Sequence, residues 1–102
     1  MEIVWSPRAH EWIRTIGDYI AQDSPATARK FLDRLIQSVA RLRKFPFSGQ
    51  VTPENTAYRH VVTERYRIIY RVTEKQIQII TVIPPRKEAD KLLKTKPTDE
   101  RP

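Results

Sequence analysis

Tyr58-Arg59-His60-Val61-Val62-Thr63, a two-residue link Glu64-Arg65, and Tyr66-Arg67-Ile68-Ile69-Tyr70-Arg71-Val72-Thr73 form the stretch that decides the fold. β-Branched and aromatic residues dominate it, and the apolar spacing is close to two, the period of a strand with one covered face. Gln76–Ile83 has the same character, which predicts three strands, Tyr58–Thr63, Tyr66–Thr73 and Gln76–Ile83. The links Glu64-Arg65 and Thr73-Glu74-Lys75-Gln76 are too short for a crossover, so the three form an antiparallel meander. Pro84-Pro85 stops the third strand.

Working backwards from this meander, the period changes to 3.6. Ser24-Pro25 reads as an N-cap followed by a first helical residue. Ala28, Phe31, Leu32, Leu35, Ile36, Val39 and Leu42 then share one face of a helix that stops near Lys44, before Pro46 and Gly49. Ser6-Pro7 repeats the start signal for an earlier helix carrying Ala9, Trp12, Ile13, Ile16 and Ile20. Two such helices with a short link form an antiparallel hairpin. Ile3–Trp5 is a short strand, Pro46–Thr56 a loop, and Arg86–Lys94 a last short helix. The order predicts a two-layer α+β domain over residues 1–94, with both helices packed on one sheet face, and a polar tail over 95–102.

Composition removes several function classes. Cysteine is absent, which excludes disulfides, thiolate metal sites and cysteine nucleophiles. Two glycines are too few for a phosphate-cradling glycine loop, and two histidines do not make a His-rich metal site. No cofactor and no metal is implied. No apolar run approaches the roughly 20 residues of a membrane span, and Met1-Glu2-Ile3-Val4-Trp5 is no signal peptide. The expectation is a cytoplasmic protein without a membrane partner.

The formal net charge is +7. Residues 1–54 hold eight basic and six acidic side chains, and residues 55–102 hold eleven and six. A basic second half points to an anionic partner, either nucleic acid or an acidic protein. Alternation along the middle strand turns Tyr66, Ile68, Tyr70 and Val72 toward the helices and Arg65, Arg67, Ile69 and Arg71 away from them. The preceding strand adds Arg59 or His60, and Arg86 and Lys87 follow the third. Arginines suit a platform for phosphate or carboxylate because they stay charged and donate in pairs. The competing reading has them neutralised by Glu54, Glu64 and Glu74.

Phe45-Pro46-Phe47-Ser48-Gly49, Pro53-Glu54, Tyr58-Arg59 and Arg65-Tyr66-Arg67-Ile68-Ile69-Tyr70-Arg71-Val72 together resemble the RelE/ParE superfamily, the toxins of type II toxin–antitoxin modules. The likeness runs over roughly residues 2 to 93. It implies a compact toxin that arrests growth and is neutralised by a cognate antitoxin, whose extended acidic segment would lie over the hairpin and along the sheet. In the RelE-like branch the target is messenger RNA on the ribosome; in the ParE-like branch it is DNA gyrase. For the RNA-cutting branch the resemblance implies that Arg67 contacts the scissile phosphate, Arg86 is a second arginine, and Glu54 is a general base. His60 could shuttle a proton. The tyrosine or histidine usual near the C-terminal end of the cutting enzymes is missing, since no tyrosine follows Tyr70. That departure and the long helical hairpin favour a ParE-like toxin acting by binding. Ribosome-dependent RNA cleavage is the alternative, and an inactive basic binding domain a third reading.

Overall fold

A computed structural model describes residues 1–95. Its elements are β1 (Glu2–Trp5), α1 (Pro7–Ala21), α2 (Pro25–Ala40), β2 (Gln50–Val51), β3 (Arg59–Thr63), β4 (Tyr66–Val72), β5 (Gln76–Ile83) and α3 (Arg86–Thr95). The polar tail expected over 95–102 lies, but for Thr95, outside the described residues.

The five strands form one sheet in the order β1-β5-β4-β3-β2. The expected meander is β3-β4-β5. The N-terminal strand joins it in parallel, with Glu2 opposite Gln76 and Trp5 opposite Ile79. Part of the expected 46–56 loop is a fifth strand, since Gln50 and Val51 pair with His60 and Arg59. β3 begins at Arg59, which leaves Tyr58 just outside the strand it was expected to open, and α2 ends at Ala40 in a 3-10 turn over Arg41–Arg43.

Ser6 shows how local chemistry sets the entry of α1. Its backbone N–H donates to Ile79 O at 2.9 Å, continuing the β1–β5 ladder for one more residue. Its Oγ accepts from Ala9 N–H at 3.0 Å, capping the helix, and donates to Ile80 O at 2.6 Å. The β4–β5 register slips at this point: Ile69 faces Thr81 while Tyr70 faces Ile79, which leaves Ile80 as a bulge. One hydroxyl thus satisfies a free helix N–H and ties the helix start to the bulge. Ser24 caps α2 in the same way through Thr27 N–H at 3.1 Å.

The core lies between the helical hairpin and the sheet. Ile16, Leu35, Ile68, Tyr70, Ile77 and Ile79 are fully buried, joined by Phe31, Val39, Tyr66 and Val82. Tyr66 meets Phe31 edge to face, with centroids 5.1 Å apart. Burial pushes the Tyr66 hydroxyl up to about 12, with the nearby Glu88 carboxylate adding to it. Gly17 lets α2 approach α1, since a Cβ there would stand 3.0 Å from Leu32 Cδ1. Trp5 and Trp12 pack against this core.

Candidate functional site

Arg67 is the centre of the sheet's second face. Its cross-strand neighbours are Val62 on β3 and Ile83 on β5, both exposed. The next row holds His60, Ile69 and Thr81. His60, not Arg59, therefore shares the face of Arg67. Ile69 also points this way but is only 6 % exposed, so this face is covered at its middle rather than open throughout.

The Arg67 guanidinium is held from two sides. Nε and Nη2 donate to His60 Nδ1 at 3.0 and 2.7 Å. A guanidinium only donates, so Nδ1 is the acceptor and the ring proton sits on Nε2. Nη1 and Nη2 donate to Glu54 Oε2 and Oε1 at 3.3 and 3.2 Å, a forked contact with the carboxylate. Arg67 beside it holds the Glu54 carboxyl below the usual carboxylate range, helped by a backbone hydrogen bond of Glu54 itself. Glu54 is exposed, whereas Arg67 is half-buried.

Glu54 reaches Arg67 because the β2–β3 loop is tightly bonded. The buried Thr52 donates through Oγ1 to Asn55 O at 2.6 Å and accepts from Asn55 N–H at 3.2 Å. Asn55 Oδ1 accepts from Ala57 N–H at 2.9 Å, and Thr52 N–H donates to Tyr58 O at 2.9 Å. The Thr-Pro-Glu-Asn stretch carries the turn chemistry for this loop.

A second bonded loop begins at Phe45. The Tyr70 hydroxyl donates to Pro46 O at 2.8 Å and accepts from Gly49 N–H at 2.9 Å. Burial raises the Tyr70 pKa, partly offset by the Gly49 bond. A Cβ at Gly49 would lie 2.6 Å from both His60 O and the Tyr70 hydroxyl, so no side chain fits. Arg59 faces this loop: its Nη1 donates to Gly49 O at 2.8 Å, and its guanidinium lies 5.1 Å from the Phe47 ring centroid. Arg59 thereby holds a loop, apart from the platform expected for it.

The remaining expected site residues are dispersed. Arg65 is in the β3–β4 turn rather than on the strand, and its side chain reaches Glu88 at 3.9 Å. Arg71 is exposed on β4, and Arg86 and Lys87 are exposed at the start of α3. Of the acids expected to neutralise the arginines, Glu54 holds Arg67 and Glu64 holds Arg34 of α2 at 2.7 Å. The structure thus joins Arg67, His60 and Glu54 into one cluster. The bonds of Thr52, Gly49 and the Tyr70 hydroxyl are additions that the sequence reading missed. Among the described residues, no group of three or more His, Cys, Asp or Glu could hold a metal ion, and no helix is long and apolar enough to cross a membrane.

A capped helical hairpin on one sheet face and an arginine-centred cluster on the other define a RelE/ParE-type toxin fold. Residues 3–89 match the family model described as the ParE toxin of the type II toxin–antitoxin system parDE, and the chain belongs to that family. It is 31 % identical over 81 residues to toxin RelE2 of Caulobacter vibrioides, covering 79 % of this chain and 91 % of that protein. A solved structure described as the chromosomal ParDE TA system from P. aeruginosa superposes with a TM-score of 0.71 at 26 % identity, covering 82 % of this chain and 95 % of that one.

Proposed function

We propose that this toxin works in the cytoplasm by binding, with DNA gyrase as its target and a cognate antitoxin as its neutraliser. The observation that carries this reading is the mutual satisfaction of the three groups that RNA cleavage would need. A general base must be free to take the 2′-hydroxyl proton. Glu54 instead accepts a forked bond from Arg67, and its lowered pKa makes it a weaker base. His60 Nδ1 is occupied by the same guanidinium. Arg67, the cation that would stabilise the phosphate, spends its donors on protein partners. A binding toxin requires none of the three to be free.

The second reading, ribosome-dependent cleavage of messenger RNA, is favoured by one observation: the same three side chains converge on a single sheet face. There, Arg67 would stabilise the charged phosphate once RNA displaced Glu54, and Glu54 or His60 would accept the proton. Loss of such a group costs roughly 10²–10³ in rate.

The two readings separate in one experiment. Purified toxin is added to a gyrase supercoiling assay, and messenger RNA ends are mapped after expression in growing cells. Inhibited supercoiling with intact messenger RNA is expected. Ribosome-dependent cuts that disappear in Arg67→Ala, with supercoiling untouched, would reverse the assignment. Normal growth at full soluble expression would favour the inactive binding domain.

A further inference from the structure

We infer that the outer face of α2, with the 3-10 turn that continues it, is a docking surface for the phosphate backbone of double-stranded DNA. The choice of a duplex rests on the reading of the chain as a gyrase-directed toxin, whose target works on DNA.

Charge is concentrated on this face more than anywhere in the second half of the chain. Residues 29–44 hold Arg29, Lys30, Arg34, Arg41, Arg43 and Lys44 against one acid, Asp33, a net +5 of the chain's +7. The other five acids of residues 1–54 lie outside this segment and hide it in the total for that half.

Helical spacing gathers these charges into a stripe. At 3.6 residues per turn, Lys30, Arg34, Gln37 and Arg41 fall within about 60° of one another around the axis. Lys44 follows Arg41 by one 3-10 turn, with its N–H donating to Arg41 O at 3.1 Å. All five are exposed, while Phe31, Leu35 and Val39 point away from them into the core. From Lys30 to Arg41 the stripe runs about 17 Å, or about five steps of one DNA strand at roughly 3.4 Å each.

The stripe's cations are largely unspent. Arg34 meets Glu64 at 2.7 Å, yet its side chain stays 55 % exposed. Among the described residues no acid pairs with Lys30, Arg41 or Lys44. The helix dipole accounts for cations in a last turn but not for Lys30 in the second turn of α2. No apolar side chain lies within the stripe, and the exposed Ile36 stands about 130° round the helix from it. A protein interface puts apolar side chains at its centre. A phosphate backbone needs only cations and polar donors, which Lys30, Arg34, Gln37, Arg41 and Lys44 supply.

The test is fluorescence anisotropy of a labelled duplex of about 20 base pairs and arbitrary sequence, titrated with the full chain from about 50 to 200 mM salt. The stripe variant is Lys30→Gln/Arg41→Gln/Lys44→Gln. Arg8→Gln/Arg14→Gln/Lys75→Gln removes the same charge from exposed positions outside the stripe. Folding of both is verified by circular dichroism. The stripe variant is expected to bind at least tenfold more weakly and to flatten the salt slope by about 2.7, at roughly 0.9 per lost phosphate contact. The control should lose less than threefold. Equal losses in the two variants would overturn the assignment, because net charge alone would then bind DNA. Tenfold tighter binding of single-stranded RNA, lost in the stripe variant, would transfer the stripe to RNA. Antitoxin affinity lost in the stripe variant, with DNA affinity unmoved, would transfer it to an acidic protein. Supercoiling inhibited by a toxin that binds no DNA itself would remove the stripe and keep the gyrase reading. DNA bound through the stripe with supercoiling untouched would do the reverse.

Discussion

Replacing Tyr70 by Phe removes one oxygen atom and leaves the buried ring in place. The missing hydroxyl is the acceptor for Gly49 N–H and the donor to Pro46 O. Gly49 is buried, so its N–H has no ready access to water. Pro46 is half-buried, and water can partly replace the lost donor. A buried group left without a partner costs about 1–3 kcal/mol, so the pair should cost about 2–4 kcal/mol. In a domain of this size that lowers the melting temperature by roughly 10–20 °C. Thermal and urea unfolding followed by circular dichroism give the stability. Amide hydrogen exchange at Gly49 identifies the site, because its N–H should lose protection while the helical hairpin keeps its own. A melting point within about 2 °C of wild type, with Gly49 still protected, would refute the idea that the hydroxyl fastens this loop.

Three other outcomes are expected. Ser6→Ala removes both the cap on Ala9 N–H and the donor to Ile80 O, and should destabilise the fold by about 1–2 kcal/mol in urea titration. Glu64 and Arg65 have φ of 54° and 70° without being glycine, so Arg65→Gly should raise stability by about 1 kcal/mol despite loss of the exposed contact with Glu88. Tyr66 holds its proton up to about 12, against about 10 unfolded. The folded state therefore binds more protons across this window, and stability falls as pH rises through it. Melting temperatures measured from pH 9 to 12 should fall less steeply in Tyr66→Phe.

Period-two alternation was enough to separate Tyr66, Ile68 and Tyr70 from Arg67 and Arg71, because burial of one face makes register visible in side-chain type. The Ser-Pro pairs marked both helix starts for an equally local reason. Gln50-Val51 escaped notice because two residues cannot display a period. Glu64-Arg65 showed its length as a link, but its left-handed backbone was hidden, since neither residue is the glycine or asparagine such a turn usually takes. The bulge at Ile80 left no trace within Ile79-Ile80, and its carbonyl is explained only by Ser6, 74 positions away. In the site, Arg67 was legible from strand parity, whereas the choice between Arg59 and His60 stayed open until the β3–β4 register placed His60 on the same face. Glu54 was named as one of three acids that could neutralise the arginines and, through resemblance, as a base, but its pairing with Arg67 in particular was hidden, because its place there depends on the hydrogen bonds of Thr52 and Asn55. The Tyr70 hydroxyl was foreseen only as part of an inward ring, since sequence gives the direction of a side chain and not the partner at its tip.

The parallel pairing of residues 2–5 with 76–79 orders events during synthesis. β1 leaves the ribosome well before β5, its strand neighbour among the described residues. Until then Ile3, Val4 and Trp5 have no ladder to join, and Ser6 has no bulge carbonyl to hold. The helical hairpin can gather early through local contacts, but the sheet cannot close until β5 is free. A chain interrupted before about residue 79 therefore lacks the strand that links its two ends. For this member of the ParE toxin family, the complete sheet is therefore out of reach until translation has passed β5.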